Sequence, residues 1–143
     1  LVNHSADSIH REGKFYLPVG DGKVSSIDTR DIAAVAVEAL TTNGHYSKIY
    51  DLTGPEAISH QEMAAILSEE TGKEINFVDI SEETARQAMI AQHMPEQIAD
   101  AMMELYAAHK AGKSSMVTNT VQDITGRPPH TFQQFAKDYQ ECF

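Results

Sequence analysis

Cysteine is nearly missing from this chain: Cys142, beside the carboxyl end, is the only one. A single thiol excludes an intramolecular disulfide and a cysteine-based metal cage, which fits a reducing, cytoplasmic setting. No His or cation beside it in the sequence is placed to activate it, so an inert thiol is expected. Bases are scarce too, with 11 Lys and Arg against 21 Asp and Glu and a formal charge of −10. Nucleic-acid binding draws its affinity from clustered Lys and Arg, and no such cluster occurs, so no nucleic-acid partner is expected. No apolar run approaches the roughly 20 residues that span a bilayer, and nothing resembles a signal peptide, so no membrane partner is expected either. The first residue is Leu1 rather than Met, which suits a segment excised from a longer chain.

What is present suffices for a folded domain. The chain has 143 residues, 41% of them hydrophobic, and a domain near this length buries roughly 70% of its extended surface. Val2, Ala6 and Ile9 recur at helical spacing up to Gly13, which predicts a short amphipathic helix. Phe15-Tyr16-Leu17-Pro18 reads as a brief extended segment, Gly20-Asp21-Gly22 as a turn, and 24–27 as a short β-prone run. Asp28 is placed to cap a helix whose apolar stripe is Ile32, Val35, Ala36, Ala39 and Leu40. Residues 49–53 follow as a strand, broken by Gly54-Pro55, so strand, helix and strand suggest a right-handed parallel crossover.

Beyond residue 58 the pattern turns helical. Ser59-His60-Gln61-Glu62 spells a capping box for a helix burying Met63, Ile66 and Leu67 and stopping at Gly72. Residues 75–80 alternate as a strand. Ser81 caps the next helix, Pro95 opens another that runs to Gly112, and Asn119 caps a short one closed by Gly126. Thr131 and Gln134 cap a last helix with Phe132, Phe135, Ala136 and Tyr139 on one face. The fold class is therefore α/β: a partial Rossmann-like parallel sheet element in 1–58, then a helix-rich lobe in 59–143.

Motif order adds an expectation about function. Gly20-Asp21-Gly22-Lys23-Val24-Ser25-Ser26-Ile27-Asp28-Thr29-Arg30-Asp31-Ile32-Ala33, then Tyr50-Asp51-Leu52-Thr53-Gly54-Pro55-Glu56, resembles the carboxy-terminal region of NmrA-like, atypical short-chain dehydrogenases/reductases. Gly44-His45, Gly72-Lys73, Thr125-Gly126-Arg127-Pro128-Pro129 and the Phe-rich last helix continue the match in the same order. The quinone-oxidoreductase and dye-reductase members are the nearest in character. The resemblance implies a Rossmann-fold parent that binds NADP or NAD and reduces a quinone, carbonyl or dye-like small acceptor. The segment would shape the substrate side of the cleft. The family's glycine-rich cofactor loop does not occur here, so the segment alone is expected to bind no dinucleotide and to be inactive. Two alternatives stand beside this reading: a parent that senses NAD(P) and regulates partners without turnover, and a lobe that pairs with a second copy through its uncovered faces.

Individual residues point less sharply. Phe15, Tyr16 and Pro18, with Arg30, Met89 and Met94, are the candidate pocket residues, because aromatic and Met side chains make adaptable apolar walls. Met102 and Met103 belong to the same class, although Met at helical spacing commonly serves the core. Arg30 has Asp51, Glu56 or a ligand as its expected partners. Asp28 and Asp31 read as helix-start acids. Tyr106-Ala107-Ala108-His109-Lys110 carries the Tyr-x-x-x-Lys spacing of short-chain dehydrogenases, but too late in the chain for that role, so a solvated helix face is expected and no catalytic residue is assigned. The histidines at 4, 10, 45, 60, 93, 109 and 130 show no metal-ligand spacing, and His60 is read as part of a cap.

Overall fold

The computed structural model describes residues 2–143, with side chains from Ser5 onward, so Val2 and His4 lie outside the described side chains. Helix α1 (Val2–Glu12) buries Ile9 and ends at Gly13, whose φ of 64° closes the turn. A Cβ on Gly13 would sit 2.6 Å from the Glu74 carbonyl oxygen, so Gly there serves a close approach as well as a turn. Strand β1 (Lys14–Leu17) then pairs in parallel with β4 (Asn76–Asp79), with Phe15 opposite Phe77. A parallel pair is thus present, and it joins a segment before residue 58 to one after it.

The crossover expected from residues 24–27 and 49–53 does not form. Strand β2 (Lys23–Val24) pairs antiparallel with β3 (Ile58–Ser59), and residues 49–53 belong to no strand. They are instead tied to Thr118: its amide donates to Thr53 Oγ1 at 2.9 Å and its Oγ1 donates to the Asp51 carbonyl at 2.9 Å. The chain after β2 is similarly committed, since the Ser25 amide donates to Ser114 O and the Gly54 amide to Ser25 O. Residues 49–53 join no ladder among the described residues, and Ile49 stays 93% exposed.

Helix α2 (Thr29–Thr41) forms as expected on its Asp28 cap, with Asp28 Oδ1 accepting from the Arg30 amide at 2.8 Å. Its stripe is only partly covered. Val35 is buried, whereas Ile32 and Leu40 are exposed, with no described residue packed over them. Helix α3 (His60–Thr71) has the full capping box: Glu62 N donates to Ser59 Oγ, and Ser59 N donates to Glu62 Oε2 at 2.6 Å. These two bonds stabilise the helix start by about 1 kcal/mol. Helices α4 (Glu82–Ala91), α5 (Glu96–Lys110), α6 (Thr120–Thr125) and α7 (Phe132–Asp138), then a 3₁₀ turn (Gln140–Cys142), complete the chain. Two caps differ from the sequence reading. Asn119 makes no side-chain cap bond, and the Gln134 side chain bonds Asp138 rather than the helix start.

The core lies between α1, β1, α3, β4 and α7, where Ile9, Phe15, Leu67, Ile75, Ala136 and Phe143 pack together. Residues of α3 at i, i+3, i+4 and i+7 (His60, Met63, Ala64 and Leu67) are all buried, so one histidine is carried inward with the apolar stripe. A second close approach fixes the other end of the molecule. A Cβ on Gly54 would overlap the Ser26 carbonyl oxygen. Gly54→Ala is therefore expected to lower unfolding free energy by about 1–3 kcal/mol, the usual cost of overpacking a site that cannot yield. Urea denaturation checks this, and an unchanged midpoint would contradict it.

Candidate functional site

A cavity of about 640 Å³ opens between the 24–29 segment, the first turn of α3, the last turns of α5 and the inner face of α7. That volume falls within the range of small-molecule sites. Leu17, Val24, Ile27 and Met63 line it together with Phe132, Phe135 and Tyr139. The aromatic wall is continuous: Phe132 to Phe135 is 5.6 Å between ring centroids and Phe135 to Tyr139 is 5.1 Å. Polar side chains are interspersed with these apolar ones, His60, Tyr106, His109 and His130 among them.

A buried carboxyl group holds the aromatic wall in place. Asp31 is wholly inaccessible, and its carboxylate reaches the loop before α7: Oδ1 lies 2.7 Å from His130 Nδ1, and Oδ2 accepts from the His130 amide at 2.7 Å. Helix-start stabilisation is therefore the smaller part of what Asp31 does. Immediately after His130, Thr131 Oγ1 accepts from the Gln134 amide at 3.0 Å and starts α7. Arg30 ties the other end of α7 to the same helix. It donates to both oxygens of Asp28 and, at 2.7 Å, to Asp138 Oδ2, while its guanidinium stands 5.5 Å over the Tyr139 ring. These bonds hold the Asp28 and Asp138 carboxyls below the usual carboxylate range and push the Arg30 pKa up.

His60, His109 and Tyr106 answer to burial. His60 is 8% exposed and flanked by Phe77 at 5.6 Å and Phe15 at 6.4 Å between ring centroids. Burial, with a smaller contribution from nearby His109, lowers its pKa to about 4. Burial also lowers the pKa of His109 and raises that of Tyr106, whose rings meet edge-on at 6.2 Å. The Tyr106 hydroxyl has no bond to Lys110, which lies on an exposed surface beside Gly20 and Asp21. The Tyr-x-x-x-Lys spacing thus makes no catalytic pair, and Tyr106 faces the cavity rather than solvent.

The six pocket candidates from the sequence fall outside this lining. Phe15 and Pro18 are fully buried, Phe15 standing behind His60. Tyr16 points outward and donates to Glu12 Oε2 at 2.7 Å. Arg30 bonds Asp28 and Asp138 in place of Asp51, Glu56 or a ligand. Met89 and Met94, at the end of α4 and in the turn after it, are half-buried away from the cavity. The missed residues had a signal: His60 precedes Met63 by three and Leu67 by seven, and Tyr106 follows buried Ala99 by seven, so both sit on inward stripes.

The NmrA-like family model matches residues 3–135 of this chain. An NAD(P)H azoreductase of Xenophilus azovorans is 50% identical over 138 residues, which cover 96% of this chain and 48% of the relative. The Escherichia coli NADPH-dependent quinone oxidoreductase QOR2, solved with NADPH, superposes with a TM-score of 0.83 at 27% identity, over 94% of this chain and 47% of that one. The Citrobacter sp. triphenylmethane reductase solved with NADP(H) gives a TM-score of 0.79 at 26% identity, over 96% and 46%. The chain spans about half the length of these proteins.

The described residues do not fit the phosphates of such a dinucleotide. At Gly13, Gly22 and Gly54 the missing Cβ admits the chain's own carbonyl oxygens, from Glu74, His109 and Ser26, and no phosphate. Of the helix starts at the cavity, that of α2 carries Asp28 and Asp31 and that of α3 carries Glu62, acids that oppose an anion there. No step involving the dinucleotide is therefore assigned to these residues.

Two tests follow from the site. Asp31→Ala leaves the His130 amide without its acceptor and is expected to cost about 1–3 kcal/mol in urea denaturation, the range for a buried donor left unpaired. A loss below 1 kcal/mol would contradict the role given to Asp31. For His60, the unfolded chain binds a proton below about pH 6.5, whereas the folded chain does so only below about pH 4. Stability therefore falls as pH drops through that window. His60→Gln is expected to flatten that part of the stability-versus-pH curve, and parallel curves for the two proteins would contradict it.

Proposed function

Because this chain belongs to the NmrA-like family, we propose that it forms the acceptor side of the cleft in an NAD(P)H-dependent oxidoreductase. The acceptor is a flat, conjugated small molecule of quinone, carbonyl or azo type. The observation that carries this reading is the cavity itself: Phe132, Phe135 and Tyr139 line one space of about 640 Å³ together with the ring side chains of His60, Tyr106 and His109. Flat rings bury well between aromatic faces, which prefer offset or edge-on packing at about 4.5–7 Å. The relatives support the same class, since those named reduce azo compounds, quinones or triphenylmethane dyes.

In this proposal the dinucleotide is held by chain other than these residues, with NADP or NAD as the hydride source. The segment up to about residue 58 then borders the sheet of the complete protein, and 59–143 supplies most of the acceptor's walls. This chain's own share is placement. Leu17, Met63, Phe132 and Phe135 exclude water from the acceptor ring, while Arg30 and Asp31 keep the α7 wall at a fixed distance.

Steady-state kinetics of the complete protein with NADPH and a panel of quinones and azo dyes tests the proposal. Turnover is expected, and Phe132→Ala is expected to raise the acceptor KM about tenfold, with the KM for NADPH unchanged, as suits loss of part of a buried aromatic contact. Dinucleotide binding without turnover of any acceptor would overturn the reductase reading in favour of a sensor.

A further inference from the structure

One ring nitrogen in each of two cavity histidines is unaccounted for. His60 and His109 both line the cavity, and the Nδ1 atom of each is buried with no hydrogen-bond partner. Neither ring makes any other hydrogen bond among the described residues. A histidine buried at a stable place in a fold ordinarily bonds at least one nitrogen to the backbone or to a carboxylate. His130 in the same cavity does so, through Asp31. His60 and His109 therefore lack what fixes a structural histidine.

The tautomer follows from which arrangement costs less. A neutral imidazole carries its one proton on either nitrogen. Placing it on Nδ1 would bury an unpaired N–H, and an orphaned donor is rarer and costlier than an under-satisfied acceptor. Placing it on Nε2, which in neither ring is among the buried unpaired atoms, leaves only a lone pair buried at Nδ1 and keeps the N–H where a ligand of the cavity these residues line can meet it. Burial lowers the pKa of both rings, which keeps them neutral near pH 7. The neighbouring Tyr106 hydroxyl, its pKa raised by burial, also keeps its proton.

This inference deepens the acceptor-cleft reading and rests on it. We propose that His60 and His109 determine acceptor specificity as a pair of neutral N–H donors, presented through Nε2, that bind an sp² oxygen or nitrogen of a conjugated ring. Molecules with a carbonyl or azo group gain one or two hydrogen bonds over hydrocarbons of the same shape. Cationic ligands gain nothing, because Asp28, the one carboxylate residue among the described lining, is already bonded twice by the Arg30 guanidinium.

The test uses the complete protein and two probes, 2,3-dimethyl-1,4-naphthoquinone and 2,3-dimethylnaphthalene. Both ring-carbon positions of the quinone are methylated so that the Cys142 thiol, which also lines the cavity, does not add to it. Imidazole ¹⁵N spectra are expected to show His60 and His109 protonated on Nε2, with those nitrogens shifted by the quinone and not by the hydrocarbon. The quinone is expected to bind about tenfold more tightly, the effect of one or two modest net hydrogen bonds. His60→Leu should remove most of that preference, while His60→Gln, whose carboxamide nitrogen reaches near the Nε2 position, should keep it. Nδ1 protonation, or equal affinity for the two probes, would overturn the donor assignment and leave the cavity reading in place. Failure of both probes to bind would overturn both. The wild-type spectra decide the tautomer even where a variant does not fold.

Discussion

The carboxylate of Asp31 is the point on which the site's geometry turns. It is fully buried, and it joins the first turn of α2 to a loop 99 positions later in the chain by two bonds of 2.7 Å, one to a side chain and one to a backbone amide. A charge taken out of water is tolerable only when its oxygens are paired, and here both are. Because the backbone amide is one of the two donors, the carboxylate fixes the path of the chain and not merely a side chain. The cap at Thr131 and the aromatic face of α7 begin one residue further on. Arg30, one residue before Asp31, fixes the far end of α7 through Asp138 and Tyr139. Adjacent positions on α2 thereby hold both ends of the wall.

In the same cavity, the fold places groups that water would ordinarily satisfy. The capping box fixes the start of α3, so its first helical residue, His60, must follow the stripe that Met63 and Leu67 define. An imidazole set between Phe15 and Phe77 cannot be charged cheaply, and it does not gain the carboxylate that His130 has. The same helix start therefore stabilises the fold and strands a polar ring in an apolar site. Such a conflict between stability and polarity is common where a ligand completes the hydrogen bonding. Membership of a family whose solved relatives bind NADPH or NADP(H) gives that ligand a chemical context.

Much of the local structure was legible in the residues. Asp28, Ser59, Ser81 and Thr131 cap helices through bonds that their spacing announced, and Gly72 and Gly126 end helices in the left-handed region. The order of short motifs was enough to suggest the family. What the sequence could not show depends on partners far along the chain. Residues 49–53 have the composition of a strand, but they join no ladder among the described residues and bond Thr118 instead. Arg30 took Asp28, two positions away, and Asp138, 108 positions away, in place of Asp51 or Glu56. The pocket itself was misplaced for a related reason: Met and aromatic side chains suit pockets and cores equally, and only contacts distinguish them. Helix α2 shows the converse: of the apolar stripe read in the sequence Ile32, Ala36 and Leu40 are exposed, and the buried residues of the helix are Asp31 and Val35.

The most direct measurement is a crystal structure of the complete protein with oxidised dinucleotide and a bound quinone. The expected result is a quinone ring stacked along Phe132 and Phe135, with a carbonyl oxygen within hydrogen-bond distance of an imidazole Nε2 of His60 or His109. A quinone bound elsewhere, against Met89 and Met94 or on the outer face of α2, would contradict the assignment of this chain's cavity as the acceptor site.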